Sequence, residues 1–347
     1  MKEAPKLLAG KYSVVRTLGK GSFGVVYEGV EVASGRSVAI KRLHAHQAAG
    51  EALERFKREA RICAHLDNPH IVAVHDFGED EEGPFLVMEL LDGRTLDEWV
   101  ETSSSRPTDT VILVARQMLS ALAAAHHAGV VHRDIKPANV FLVDTPRGVV
   151  VKILDFGMAK LRKAAPLTRT GDMVGTIAYM APEQARAQEV DARTDLYAVG
   201  ICLYIAFSGK PPFKHASVLE TVRAIESGDC KELTFYRRDL PKGLPDVVHK
   251  AFAVRPDQRF QSAEEMLEAL AAYGPPPTAM FQRRDDVPRS SSGSTGMPSV
   301  PLAPVFAPAV AAPSRSVRGV VIGVVLAALV FVAAAVALLL ALRPAPK

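Results

Sequence analysis

The chain has 347 residues, of which 48% are apolar, 23% charged and 6% aromatic. This composition excludes a wholly disordered chain and a collagen-like chain. Three widely spaced cysteines exclude a disulfide scaffold and a cysteine-based zinc site. Residues 274–347 carry a net charge of +5, whereas residues 1–273 carry −1. The balanced charge of the larger part gives no indication of nucleic-acid binding.

Secondary-structure patterns divide residues 12–273 into a strand-rich part followed by a helix-rich part. Alternating and β-branched residues predict strands over 12–18, 25–32, 37–43, 71–77, 85–90 and 149–154. Apolar residues at helical spacing predict helices over 51–66, 110–128, 191–207 and 262–272. Strands that precede helices in this way predict an α+β protein of two lobes.

Two different segments follow the globular part, which we place at residues 10–273. Residues 274–316 contain nine prolines and nine Ser and Thr residues, and we expect this composition to give a disordered tether. Residues 319–342 form a run of 24 without a charged or strongly polar side chain. As a helix the run would extend about 36 Å, enough to cross a hydrocarbon core of about 30 Å. It is therefore predicted to be a C-terminal transmembrane helix, with a buried core helix as the less favoured alternative.

The orientation of this span is predicted from chemistry, because flanking charge does not decide it. Arg315 and Arg318 precede the run and Arg343 and Lys347 follow it, so the charge bias is equal on both sides. The N-terminal residues contain no apolar run of signal-peptide length, and the cysteines suit a reducing compartment. We expect a single-pass protein of the inner (plasma) membrane whose globular part is cytoplasmic.

A glycine-rich motif of the form G-x-G-x-x-G lies between the first two predicted strands. Its residues and their neighbours are Leu18, Gly19, Lys20, Gly21, Ser22, Phe23, Gly24, Val25 and Val26. A dinucleotide-binding fold would place a helix directly after the glycines, whereas an alternating strand follows here. Glycines at a hairpin tip would let backbone amides approach phosphate oxygens, with an ordinary glycine-rich hairpin as the alternative.

Lys41 lies in an apolar predicted strand, where an ammonium group needs an anionic partner. Phosphate oxygens are one such partner. A carboxylate on the next predicted helix would orient the lysine, and Glu59 is the best candidate, with Glu51 and Glu54 as rivals. A structural alternative pairs Glu59 with Arg55 one turn earlier.

Two further motifs place polar side chains beside apolar runs. His-Arg-Asp-Ile-Lys-Pro-Ala-Asn occupies residues 132–139, and Asp-Phe-Gly follows a predicted strand at 155–157. Each short motif is common by chance, but all of them in this order and at these separations are highly specific. On these motifs, the sequence from about Tyr12 to Tyr273 resembles the protein kinase superfamily, and in particular the membrane-anchored bacterial serine/threonine kinases.

The resemblance implies a bilobal protein kinase fold, with a β-rich N-lobe, a helical C-lobe and MgATP between them; Mn²⁺ is an alternative metal. It implies transfer of the γ-phosphoryl group of ATP to Ser or Thr of proteins, in signal transduction at the membrane. The nucleotide would be contacted by residues 18–26, Ala39, Lys41, Glu89 and Leu91, and residues 89–91 would form the hinge between the lobes. Val26 and Ala39 would enclose the adenine, and Lys41, oriented by Glu59, would hold the α- and β-phosphates.

The same resemblance implies the catalytic and metal-binding residues. Asp134 would orient the substrate hydroxyl and accept its proton, and Lys136 would neutralise charge on the transferred group. Asn139 and Asp155 would ligate Mg²⁺ through oxygen atoms, which suit that cation. Transfer through a loose transition state depends mainly on positioning and electrostatics, which explains why few of these residues are strong nucleophiles.

Residues that would control activity are implied as well. Lys136 and Thr176 fit serine/threonine kinases better than tyrosine kinases. Arg133 would bind a phosphate on the activation segment, where Thr168 and Thr170 would be autophosphorylated. A solvated polar loop is the alternative for this segment.

Two implied interactions are structural: Glu183 would pair with Arg259, and Asp195 would brace the catalytic loop. The expected partners are ATP, protein substrates, the membrane and a second kinase domain, but no nucleic acid. Two other functions stay open, a pseudokinase scaffold that binds nucleotide and a small-molecule phosphotransferase. The intact Lys41 and Asp134 argue against the first, and the complete Ala-Pro-Glu segment at 181–183 argues against the second.

Overall fold

A computed structural model of the chain describes residues 7–21, 24–43, 57, 64–146, 148–156 and 177–274. All of them belong to the first of two units into which the chain divides, residues 1–281. Most of the predicted helix over 51–66 lies outside the described residues, as do 275–316 and the apolar run 319–342. In the part that the structure describes, we find no helix with both the length and the apolar character needed to cross a membrane.

Most of the described strands come before most of the described helices, as expected for a sheet lobe followed by a helical lobe. The strands are β1 (Leu7–Leu8), β2 (Tyr12–Gly21), β3 (Gly24–Glu31), β4 (Ser37–Leu43), β5 (Val74–Asp80), β6 (Gly83–Glu89), β7 (Arg94–Thr95), β8 (Val140–Thr145) and β9 (Gly148–Ile153). The helices are α1 (Leu96–Thr102), α2 (Thr108–His127), α3 (Pro182–Ala185), α4 (Ala192–Ser208), α5 (Val218–Ser227), α6 (Leu233–Tyr236), α7 (Leu244–Ala251) and α8 (Ala263–Leu270). Short 3₁₀ helices cover Pro137–Asn139, Pro256–Gln258 and Ala271–Tyr273.

The sheet lobe is one antiparallel sheet in the order β1-β2-β3-β4-β6-β5. Alternation along each strand sends one set of side chains to a common buried face. That set is Leu8, Tyr12, Val38, Ile40, Phe85 and Val87. The register pairs Val26 with Lys41 and Ala39 with Met88, so β3, β4 and β6 contribute neighbouring side chains to the same region.

The strand predicted over 71–77 is displaced in the structure, because β5 begins only at Val74. Ile71 instead forms an isolated parallel bridge with Ile153 of β9. On either side of it, Ile153 donates its amide to His70 O at 2.8 Å, and Val72 donates to Ile153 O at 3.1 Å. The prediction was wrong at this end. The backbone groups of residues 70–72 form hydrogen bonds with the edge of β9 and not with the large sheet.

A small sheet, β7-β8-β9, lies on the helical lobe and leads directly to residue 155. Gln117 of α2 holds the outer edge of β9: Val151 N donates to Gln117 Oε1 at 2.7 Å, and Gln117 Nε2 donates to Val149 O at 2.9 Å. Val151 and Ile153 are fully buried. Strand β9 is therefore fixed by backbone, side-chain and apolar contacts at once.

Helix α4 is the central element of the helical lobe. Its buried residues run continuously from Thr194 to Phe207, and it packs against α2 and α7. Asp191 caps its start by accepting a hydrogen bond from Arg193 N at 2.9 Å, and Gly209 ends it in the left-handed conformation with φ of 75°. Because it is apolar on all sides, this helix is buried as expected for a core helix.

Candidate active site

The glycine-rich hairpin is formed by β2 and β3, as the sequence predicts, with Gly21 paired to Gly24. A side chain at Gly24 would place its Cβ 1.8 Å from Arg42 O, so only glycine fits there. A Cβ at Gly19 would meet no atom within 4 Å. The backbone here is therefore uncovered on one side and can accommodate phosphate oxygens. Ser22 and Phe23 lie outside the described residues.

A small apolar cluster lies between this hairpin and β9. Its buried members are Ala39, Val72 and Met88, and the half-buried side chains packed against them are those of Val26, Leu90, Leu91 and Leu154. The predicted adenine residues Val26, Ala39 and Leu91 are thus brought together, whereas Leu18 is 40% exposed on β2. Val72 and Leu154 belong to the cluster but were not predicted. Their sequence signal is weak, because each is one apolar residue within a longer apolar run.

Glu89 ends β6 at the predicted hinge, but its carboxylate does not line the apolar cluster. Oε1 accepts hydrogen bonds from Ala73 N at 2.7 Å and from Lys152 Nζ at 2.6 Å. Oε1 is therefore occupied by two protein donors.

Lys41 and Asp155 meet across the cleft between the sheet lobe and β9. Lys41 Nζ lies 2.5 Å from Asp155 Oδ1, and the lysine side chain is buried. This places the predicted phosphate-binding lysine next to the predicted metal ligand. Glu59, predicted to orient the lysine, lies outside the described residues.

The pKa of the Asp155 carboxyl reflects two opposed effects. Burial disfavours its charged form, but the ammonium groups of Lys41 and Lys136 favour it and hold the pKa below its usual value. Asp155 has a φ of 60°, an uncommon conformation for a residue with a side chain. A carboxylate whose charged form is favoured, in a constrained conformation, is suited to bind a hard cation.

Asp134, Lys136 and Asn139 form a second polar group on the loop before β8. Asp134 Oδ2 accepts from Lys136 Nζ at 3.0 Å and from Asn139 Nδ2 at 3.2 Å. Asn139 Nδ2 also donates to Asp134 O at 2.8 Å. The amide nitrogen of Asn139 is thus committed to Asp134, so its carbonyl oxygen is the atom that could coordinate a cation.

Asp195 forms hydrogen bonds with the backbone of the loop that contains Asp134. The buried carboxylate accepts from His132 N at 2.8 Å and from Arg133 N at 2.7 Å. His126 Nε2, at the end of α2, lies 2.8 Å from Asp195 Oδ2, and since a carboxylate can only accept, Nε2 donates. The predicted bracing by Asp195 is present, but His126 was missed, because a histidine near a helix end carries no sequence signal for a partner so far along the chain.

Arg133 adopts a φ of 69°, which is costly for a side-chain-bearing residue. Two hydrogen bonds maintain it: Arg133 N donates to Asp195, and Gln184 Nε2 donates to Arg133 O at 2.8 Å. The end of the Ala-Pro-Glu segment is thereby attached to the catalytic loop. Thr168, Thr170 and Thr176 lie outside the described residues.

The sequence predicts two side-chain ligands for a metal, and both would bind it through oxygen atoms. Among the described residues, no group of three or more His, Cys, Asp or Glu side chains could hold a metal ion. Asn139 and Asp155 alone would supply one amide and one carboxylate oxygen. This set fits Mg²⁺, which usually takes one or two protein ligands and completes its octahedron with water and phosphate oxygens.

Comparison with known proteins agrees with this geometry. The sequence profile of the protein kinase domain matches residues 12–270. Serine/threonine-protein kinase PknL of Mycobacterium tuberculosis is 38% identical over 290 residues, which cover 82% of this chain and 71% of that protein. Serine/threonine-protein kinase pkn2 of Myxococcus xanthus is 38% identical over 273 residues, covering 77% of this chain and 33% of that protein.

Solved structures give the same result. The kinase domain of Mycobacterium tuberculosis PknI superposes with a TM-score of 0.62 at 29% identity, over 78% of this chain and 99% of that one. A matching profile over most of the chain, relatives above a third identical and a shared fold show the family. This chain belongs to the protein kinase family and is a serine/threonine protein kinase similar to the bacterial Pkn enzymes.

Proposed function

We propose that this kinase transfers the γ-phosphoryl group of MgATP to Ser and Thr residues of proteins through Asp134, and that it does so at a membrane. The observation that carries the catalytic part is the convergence of two polar groups on one cleft. Lys41 and Asp155 meet at 2.5 Å, while Asp134 gathers Lys136 and Asn139 on the adjacent loop. The apolar cluster around Ala39 and Met88 supplies an apolar surface for the adenine beside them.

Each polar side chain has a role that follows from its charge and partners. Asp134 would orient the acceptor hydroxyl and take its proton at a carboxylate oxygen. Lys136, held against Asp134, would face the negative charge that spreads over the transferred group. Lys41 would bind phosphate oxygens, and Asn139 and Asp155 would hold the metal. Bound Mg²⁺ would neutralise the phosphate charge, and Mn²⁺ has similar ligand preferences.

The experiment uses the purified 347-residue chain with MgATP and a generic basic protein as acceptor. The wild type is expected to phosphorylate itself and the acceptor on Ser and Thr. Asp134→Asn removes the proton acceptor and should lower turnover by about 10²- to 10⁴-fold, the range expected for a general base. Wild-type turnover in Asp134→Asn would contradict the assignment. A pseudokinase would show no transfer in any variant.

Control by phosphorylation is the second part of the proposal. Arg133 Nε is buried and makes no hydrogen bond among the residues that the structure describes, and the backbone of Arg133 is held rigidly. A phosphate on Thr168 or Thr170 would bring about −1.5 to −2 charges for this guanidinium to bind. The variant Thr168→Ala/Thr170→Ala should then have markedly lower activity but nearly unchanged MgADP affinity. Equal activity of variant and wild type would exclude this switch.

Membrane attachment is the third part, and it depends on the sequence of residues 319–342. The apolar run is long enough to span a bilayer, and a 43-residue flexible tether of 274–316 would span roughly 35–40 Å on average. The kinase would then act on substrates near the cytoplasmic surface. We expect the 347-residue chain to sediment with membranes and resist high salt, and a 1–316 truncation to be soluble. Release of the 347-residue chain by salt alone would contradict the proposal.

A further inference from the structure

The structure contains a second polar bridge between the two lobes, distinct from the Lys41–Asp155 pair. Lys152 of β9 donates to Glu89 Oε1 at 2.6 Å, and Glu89 ends β6 of the large sheet. Both side chains are mostly buried, with 17% of Lys152 and 25% of Glu89 exposed. Solvent therefore screens this pair less than it screens the surface pairs of the protein.

The bridge also includes the connecting segment before β5. The same Glu89 oxygen accepts from Ala73 N at 2.7 Å, and Glu89 N donates to Ala73 O at 2.9 Å. Residues 70–72 of that segment are hydrogen-bonded to Ile153 of β9. Sheet lobe, connecting segment and β9 thus meet at one carboxylate oxygen.

The Lys152–Glu89 bridge lies close to the Lys41–Asp155 pair along the same two segments of the chain. Val38 is the β4 residue paired with Glu89, and Lys41 lies three residues further along β4. On the other side, Asp155 lies three residues beyond Lys152. Three extended residues of β4 span roughly 10 Å, and on the other side Asp155 lies two residues past the end of β9, so the two bridges join the same two stretches of chain at separate points.

We propose that Lys152 is a positioning residue for the metal–nucleotide complex: by binding Glu89, it holds β9 and the sheet lobe at the spacing that Lys41 and Asp155 need. This inference rests on the proposed roles of Lys41 and Asp155. Those two groups must turn from each other to phosphate and metal when the nucleotide binds. The Lys152–Glu89 bridge involves no ligand, so it keeps the lobes in register while the other bridge exchanges partners.

Distance from the hinge distinguishes positioning of the phosphate and metal groups from support of the adenine pocket. If the lobes rotate about the hinge, displacement grows with distance from it. Ala39 and Met88, two of the buried members of the apolar cluster, lie beside the hinge residue Glu89 on β4 and β6, whereas Lys41 lies two residues farther along β4 and Asp155 lies past the end of β9. Loss of the bridge should therefore weaken binding of MgADP much more than binding of adenosine.

The test measures binding of MgADP and of adenosine by calorimetry, in the purified 347-residue chain and its variants. Lys152→Met should raise the Kd of MgADP about three- to tenfold, as partial loss of a charge-assisted hydrogen bond would, and that of adenosine less than about twofold. Lys152→Arg keeps the charge and should stay within about twofold of wild type. Lys250→Met is the matched control, because its 2.9 Å pair with Glu265 is exposed and outside the cleft.

A double variant adds a check on the partner. Glu89→Gln keeps the acceptor for Ala73 but removes the charge, so Lys152→Met/Glu89→Gln should bind MgADP no more weakly than the worse single variant. Unchanged MgADP affinity in Lys152→Met, or equal weakening of MgADP and adenosine, would overturn the inference. If Lys41→Met is inactive while Lys152→Met binds normally, only this inference fails; wild-type activity in Lys41→Met would remove the proposed function itself.

Discussion

Two buried ion pairs in this kinase have the same chemistry but different surroundings. Glu183 and Arg259 form a bidentate pair with both distances at 2.8 Å, and Thr194 adds a third hydrogen bond to the carboxylate. Arg259 also donates to Ala253 O and Val254 O. The Lys41–Asp155 pair instead lies at the cleft, where a quarter of the Asp155 side chain is exposed.

The difference separates a structural pair from an exchangeable one. Each guanidinium nitrogen of Arg259 and both carboxylate oxygens of Glu183 have protein partners, so this buried pair stabilises the helical lobe. Lys41 and Asp155 can be drawn apart by a ligand that offers each a better partner. The exposure of Asp155 to the cleft, compared with the enclosed carboxylate of Glu183, distinguishes the two roles.

The largest effect on stability is expected when the Glu183–Arg259 pair is broken. Arg259→Met leaves the Glu183 carboxylate buried without its cation, which should lower the free energy of unfolding by about 3–5 kcal/mol. Denaturant unfolding would measure it. Arg255→Met is the control, because its 2.6 Å pair with Asp257 is exposed and should contribute little to stability. Equal effects of the two variants would mean that the buried and the exposed pair contribute alike to stability and would contradict the comparison.

The pH dependence of unfolding sharpens the same comparison. Burial raises the pKa of Glu183, but Arg259 outweighs it and holds the pKa below its usual value. A carboxyl whose folded-state pKa is depressed contributes stability above its unfolded pKa and loses it as pH falls through the folded pKa. In Arg259→Met the sign reverses, because protonation then relieves a buried charge. The stability gap between wild type and variant should narrow from about pH 8 to about pH 5; a constant gap would contradict this.

A smaller effect is expected at His126, which supports the catalytic loop through Asp195. His126→Ala removes one of the donors to Asp195 and should lower kcat about three- to tenfold, as loss of a hydrogen bond to a charged group would, with little change in the KM for ATP. His126→Asn should recover part of it. His127→Ala is the neighbouring control, since that side chain is 77% exposed. Equal loss in His127→Ala would indicate damage to α2 rather than to the loop.

Much of the fold was predictable, because its strands and helices show regular periodicity. The prediction of a strand over 37–43 coincides with β4, and the helix over 110–128 differs from α2 by only one or two residues at its ends. The start of β5 was not predictable, because residues 70–72 are recruited by the edge of β9, a contact between distant parts of the chain. Local pattern contains no information about such an edge.

The candidate site divides in the same way. Asp134, Asn139 and Asp155 were found because they stand in short motifs. Glu89 was predicted near the adenine, but the partners of its side chain, Ala73 and Lys152, are joined to it only by folding. Polar contacts between separate segments are therefore the part of this site that only the structure reveals.

The central claim is that the Lys41–Asp155 contact opens to bind metal and nucleotide. The most direct measurement is the Kd of ADP with and without Mg²⁺, in wild type and in Asp155→Asn. Mg²⁺ should tighten ADP binding to the wild type, and Asp155→Asn should lose most of that gain while its affinity for metal-free ADP stays within about threefold, because the adenine cluster is untouched. An undiminished Mg²⁺ effect in Asp155→Asn would show that Asp155 is not the metal ligand and would contradict this account.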